Sequence, residues 1–272
     1  MTFSMNGQAF EPEPVGPGSG GSCAIAVMAK LPRPGYSKTR LCPPLRPVEA
    51  AALSAAFLRD TTTIISRAAR LAPIAGYAAY APSGAKEALV AHLAQGTACI
   101  LADGSISAPP GVEGFGRCLL HAIQQMFGAG HAAACVLSSD TPTLPTEFLV
   151  TAATALLAGE DRRVVLGACD DGGYYLLGMR RPHTRLFADI TWSTSSVAAT
   201  TRARAEELGL DLVELPPWYD VDDAAALERL VRDSKGNDAV STRRAVRLFG
   251  LEALAVRPAP LDGKNLSSLA GR

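Results

Sequence analysis

The sequence has no excess charge of either sign, no cysteine framework, few histidines and no long apolar run. Lys plus Arg and Asp plus Glu each number 26 in 272 residues. No global field therefore draws the chain to nucleic acid or to an anionic membrane, and any phosphate must be held by a local site. The six cysteines (Cys23, Cys42, Cys99, Cys118, Cys135 and Cys169) show no CxxC spacing and no neighbouring histidine. That argues against a zinc site or a disulfide framework and suits a reducing, cytoplasmic setting, with several thiols acting as small hydrophobes in apolar runs. The four histidines (His92, His121, His131 and His183) are isolated and read as surface residues. No GxSxG elbow is present, which disfavours hydrolase chemistry, and the P-loop spacing is missing as well. No run approaches the roughly 18 apolar residues of a membrane helix. Residues 1–22 lack Lys and Arg and are crowded with Gly, Pro and Glu. They read as a flexible leader rather than a secretory signal, and residues 251–272 read as a C-terminal tail.

What remains is a chain long enough for one large α/β domain with a full core. Short apolar runs alternate with amphipathic stretches. Strands are expected at 23–29, 73–80, 97–102, 132–137, 163–166, 174–179 and 211–215. Helices are expected at 48–70, 85–93, 116–127, 146–157, 195–208 and 222–232. Such alternation predicts a largely parallel, layered sheet. Ligands of these sheets bind outside the carboxyl ends of the strands, where strand order reverses.

Four polar clusters follow strands. The loop after the first strand, Lys30 to Arg40, carries four cations and is stiffened by two prolines. Phosphates are bound by such point charges, guanidinium forks and exposed N–H groups, although a solvated basic loop has the same composition. Asp140 follows six apolar residues and a Ser-Ser pair, a place where one carboxylate can hold a metal between phosphates or simply cap a helix. Asp171-Gly172-Gly173 can bring backbone close to a ligand or make a tight turn. Trp218-Tyr219-Asp220-Val221-Asp222-Asp223 ends a strand and starts a helix, where carboxylates also serve as caps. A fifth signal is Asp60, placed within the apolar stripe of Leu53, Phe57 and Ile64. A carboxylate on a buried face needs a partner. Lys38 or Arg40 could supply it and so brace the basic loop, or backbone groups could.

Taken together, MAKLPRPGYSKTRL (28–41), AFLRDT around Asp60, SSDTPTLP (138–145), DGGYYLLG (171–178), ITWST (190–194) and PPWYDVDD (216–223) resemble a bacterial family of glycosyltransferase-A-like proteins. Some of its members are labelled arsenosugar-biosynthesis glycosyltransferases. The family is also similar to small-molecule nucleotidyltransferases such as phospholactate guanylyltransferase. The resemblance covers about residues 23–230 and implies a Rossmann-like GT-A fold, a mostly parallel sheet with helices on both faces, in a transferase domain spanning 23–250. Carried over, it implies Asp140 and Asp222 as ligands of Mg²⁺ or Mn²⁺, and Asp140, Asp222 and Lys38 as the catalytic set. It places Ala29, Lys30, Gly35, Lys38, Arg40 and Ser139 on the nucleotide. Asp171, Gly172, Gly173, Tyr174 and Trp192 fall on the acceptor side. One stretch departs from the family: Gly114-Phe115-Gly116 replaces an acidic Gly-Asp-Leu-Gly, which implies an altered acceptor pocket.

The expected partners are a nucleotide or nucleotide sugar and a small acceptor, with neither nucleic acid nor membrane involved. Nucleotidyl transfer, glycosyl transfer and non-catalytic nucleotide binding all fit. Ser138 stands where sugar transferases of this fold place the first carboxylate of a D-x-D, which tilts the reading toward nucleotidyl transfer.

Overall fold

The computed structural model describes residues 21–233 and 238–256. Of the expected leader and tail, 1–20 and 257–272 lie outside the described residues. Seven strands form one sheet: β1 (Cys23–Lys30), β2 (Ile74–Ala81), β3 (Ala98–Leu101), β4 (Ala133–Leu137), β5 (Arg163–Cys169), β6 (Tyr174–Met179) and β7 (Asp211–Trp218). Their spatial order is β3-β2-β1-β4-β6-β5-β7, and all neighbours are parallel except those of β6, which runs antiparallel to β4 and β5. The helices are α1 (Pro47–Ala68), α2 (Lys86–Val90), α3 (Phe115–Gly128), α4 (Thr146–Ala158), α5 (Val197–Glu207), α6 (Ala224–Asp233) and α7 (Val240–Leu248). Among the described residues, no helix is long and apolar enough to cross a membrane.

Both faces of the sheet are covered, which is why its central strands are apolar throughout. Alternate residues of β1 go to opposite sides. Cys23, Ile25, Val27 and Ala29 pack with Leu58 and Ile65 of α1 and Leu149 and Leu156 of α4. Ala24 and Ala26 pack with Leu119, Leu120, Ile123 and Met126 of α3. A third cluster joins Leu41 and Leu45 to Leu53 and Phe57 of α1, Tyr219, Val221, Leu227 and Leu230, and Val246 of α7.

The expected elements are found with small shifts at their ends; α2 is shorter than the 85–93 expected. The added element is α7, whose arginine-rich VSTRRAVRL offers few apolar residues to read. It also supplies the partner of Asp60, which the sequence left open between the basic loop and backbone groups. That carboxylate is buried, but it bonds neither Lys38 nor Arg40. It accepts the backbone N–H groups of Ser241 (3.0 Å) and Thr242 (2.7 Å) in the first turn of α7.

The histidines need correcting. His121 and His131 are buried. His131 shares hydrogen bonds with Ser22 Oγ (2.8 Å) and Tyr77 OH (2.7 Å). His121 Nδ1 lies 3.5 Å from the Asp103 carboxylate. Burial holds both rings below the usual imidazole range, with Asp103 opposing the effect at His121.

Candidate active site at the carboxyl ends of the strands

Strand order reverses between β1 and β4, which pair side by side from Cys23–Ala133 to Val27–Leu137. The chain leaves β1 toward β2 and β3, then returns to β4 on the other flank. This is the crevice in which open α/β sheets bind ligands. The loops 31–46 and 138–145 border it.

The loop after β1 is not merely solvated. Leu41 and Leu45 anchor it in the third cluster, and within it Ser37 Oγ accepts the N–H of Arg33 (3.0 Å). Lys38 takes a left-handed backbone conformation (φ 51°), and its side chain turns inward to 7% exposure. Its ammonium lies 2.7 Å from Asp140 Oδ1 and 2.6 Å from Asp222 Oδ1. It also donates to the carbonyl of Val221 at 2.8 Å and lies 5.6 Å from the centre of the Phe57 ring. Burial works to lower the Lys38 pKa, yet the two carboxylates win and leave it raised. Lys38 is therefore an ammonium at neutral pH.

Asp140 and Asp222 come from distant parts of the chain and are stitched together by backbone. The Val221 N–H donates to the Asp140 carbonyl (2.9 Å), and Trp218 Nε1 donates to Thr143 Oγ1 (3.2 Å). Neither aspartate caps a helix. Asp223 instead accepts the N–H of Ala226 (2.8 Å) at the start of α6, and α4 begins at Pro145 without a side-chain cap. Ser139 Oγ donates to Asp140 Oδ1 (3.1 Å), while Ser138 Oγ accepts the Asp140 N–H (3.1 Å). Lys30, Gly35 and Arg40 are exposed and Ala29 is buried.

Asp171 lies on the exposed turn between β5 and β6, where its Oδ1 accepts the Gly173 N–H (2.8 Å). Gly172 has φ +91°, and a Cβ there would lie 2.0 Å from the Ser195 carbonyl oxygen. The glycine is thus required by the approach of the chain's own backbone. Tyr174 meets Trp192 edge-on (ring centres 6.5 Å apart), and Trp192 meets Phe115 in the same way (5.6 Å). A Cβ on Gly116 would stand 3.0 Å from Trp192 Cζ2 and 2.9 Å from the Phe187 carbonyl. The missing side chain at Gly116 is therefore what lets Trp192 lie on the start of α3.

The reading of the sequence named Asp220 within the fourth cluster but gave it no role in the site. Burial first, then the carboxylates of Asp171, Asp222 and Asp140, push its carboxyl up to about 6. Its spacing carried the signal, since residues two apart in an extended segment share a side, so Asp220 and Asp222 can face one crevice. The N–H of Asp170 donates to the Trp218 carbonyl (2.9 Å), which fixes the turn after β5 against this segment.

Three comparisons bear on the fold. Residues 64–194 match the model of a family described as an uncharacterized protein conserved in bacteria (DUF2064). Among solved structures, the chain is similar to a candidate nucleotide-diphospho-sugar transferase from Desulfovibrio desulfuricans G20. The two share 27% identity and a TM-score of 0.73 over 85% of this chain and 96% of that one. A cytidylyltransferase from Leptospira borgpetersenii serovar Hardjo-bovis (strain JB197) superposes with a TM-score of 0.52 at 9% identity, over 88% of this chain and 98% of that one. No curated protein matches the sequence. The fold is the GT-A fold of nucleotide-diphospho-sugar transferases.

Proposed function

We propose that this chain is a nucleotide-utilising transferase, and that it moves a nucleotidyl group from a nucleoside triphosphate to a small phosphorylated acceptor. One observation carries the reading: Asp140 and Asp222 converge on a single ammonium at the point where strand order reverses. Two carboxylates that share one monovalent cation can also share one divalent cation. Their oxygen-only donor set suits Mg²⁺ or Mn²⁺, so the residues fit the metal that the fold resemblance implies. Such an ion, when bound, neutralises donor phosphates and stabilises the charge that develops on them.

The chain's own residues supply the rest. Lys38 offsets one charge of the carboxylate pair at rest and is the ammonium nearest to the donor phosphates. Lys30, Arg33 and Arg40, exposed at and after the end of β1, hold the leaving pyrophosphate. Ser139 orients the Asp140 carboxylate through its hydrogen bond. Asp171, Tyr174 and Trp192 border the acceptor side, with 23–250 as the transferase unit.

Ser138 tilts the reading toward nucleotidyl transfer. It donates no carboxylate and instead accepts the N–H of Asp140. The site thus has one carboxylate at β4 and one after β7, a clamp suited to the phosphates of a whole triphosphate. Glycosyl transfer is the second reading, favoured by the 27% identity to a candidate nucleotide-diphospho-sugar transferase. The two are separated by incubating the protein with Mg²⁺, phosphorylated acceptors and either triphosphates or nucleotide sugars. Pyrophosphate release from a triphosphate supports the first reading. Sugar transfer without pyrophosphate reverses the order.

A further inference from the structure

Lys38 offsets one of the two charges of the Asp140–Asp222 pair. One turn away, at the carboxyl end of β5, a second group has no such counter-ion. Cys169, Asp171 and Asp220 each bring one ligand atom within 4.8 Å of the others. The nearby guanidinium, that of Arg229, pairs with Asp170 (2.7 Å). Among the described residues neither Asp171 nor Asp220 joins an ion pair. Two carboxylates held close together without an ion-pair partner among the described residues form a local negative field.

A second, independent observation is the thiol. The Cys169 residue is only 8% exposed, and among the described residues its thiol makes no hydrogen bond. Its sulfur is aimed at the two carboxylates. The frame around it is pinned. The Cys169 N–H donates to the Gly173 carbonyl (2.9 Å), the Asp170 N–H to the Trp218 carbonyl (2.9 Å), and Gly172 rests against the Ser195 backbone. The three groups are therefore held in place by backbone bonds rather than by one another. Asp171 is exposed, so a small rotation of its carboxylate lets one ion touch all three.

We propose that Cys169, Asp171 and Asp220 form a second, sulfur-containing site for a thiophilic divalent cation, of the class of Zn²⁺, Co²⁺ or Cd²⁺, beside the oxygen-only pair Asp140 and Asp222. A thiolate selects softer ions, whereas carboxylates alone accept Mg²⁺. On binding, the Cys169 S–H bond breaks, its proton goes to solvent, and the sulfur's electron pair forms the bond to the ion. Three protein ligands leave a coordination position open, as in sites that also bind water or substrate.

The site is tested with the metal alone, so its outcome is separate from that of the nucleotide reading. The full chain, fully reduced and free of nucleotide, is titrated with Cd²⁺ or Co²⁺ while thiolate-to-metal charge-transfer absorbance is followed. The expected result is a band that saturates at one equivalent and survives a large excess of Mg²⁺. Cys169→Ser removes it, and Cys42→Ser, at a partly exposed thiol elsewhere, leaves it. Asp220→Asn keeps the band but weakens affinity roughly tenfold or more, as loss of a supporting oxygen does. Should Cys169→Ser not fold, Asp220→Asn decides by itself. A band retained in Cys169→Ser, unchanged affinity in Asp220→Asn, or displacement by Mg²⁺ overturns the assignment.

Discussion

Asp60, near the middle of α1, holds the first turn of α7 by accepting the backbone N–H of Thr242 at 2.7 Å and that of Ser241 at 3.0 Å. The residues it joins are about 180 positions apart in the chain. A carboxylate at a helix N-terminus gains from both the unpaired N–H groups and the helix dipole. Through α7 and the third cluster, this bond braces the wall behind Lys38 and Asp222.

Replacing Asp60 with Ala leaves those two N–H groups without their acceptor. The expected loss is about 1–3 kcal/mol, the range for a severed buried hydrogen-bond network. Asp60→Asn, which keeps one acceptor oxygen, loses less. Urea unfolding followed by circular dichroism measures both, and a loss near zero in Asp60→Ala contradicts the account.

Lys38→Met removes the ammonium from between Asp140 and Asp222. Those carboxylates are 30% and 45% exposed, so water screens much of their repulsion. The cost is about 1–2 kcal/mol, below that of breaking a fully buried pair. Mn²⁺ is expected to restore it, raising the melting temperature of Lys38→Met more than that of the parent, because the ion takes the place the ammonium left. An equal or smaller Mn²⁺ shift in the variant contradicts the shared-cation reading.

The buried histidines set a pH dependence. The His131 ring is held below the usual imidazole range by burial, so the unfolded chain binds its proton more readily than the folded one. Its contribution to stability is therefore full above about pH 6.5, the ordinary value, and is lost as pH falls through the folded pKa. The melting temperature of the parent should drop from pH 7 to pH 5 more steeply than that of His131→Gln. Parallel curves for the two proteins contradict this.

These cases show what a sequence can and cannot reveal. The burial of Asp60 was legible, because the carboxylate interrupts the stripe of Leu53, Phe57 and Ile64. Its partner was not, since α7 carries three arginines and little apolar signal. The strand ends that bear Lys38, Asp140 and Asp222 were legible from short apolar runs followed by polar clusters. The side-chain partner of Lys38 was not, because composition cannot distinguish a cation turned toward ligand from one turned onto carboxylates. His121 and His131 were misread because an isolated histidine gives no sign of its tertiary partners, here Asp103 and the Ser22–Tyr77 pair.

The central claim is tested most directly by calorimetric titration of the parent and of Asp140→Asn with GTP and with CTP in Mg²⁺, beside a nucleotide sugar of each base. The account expects a triphosphate to bind the parent more tightly than either nucleotide sugar, to need Mg²⁺, and to lose that need along with its affinity in Asp140→Asn. Binding that is equally tight without Mg²⁺, or unchanged in Asp140→Asn, would contradict it.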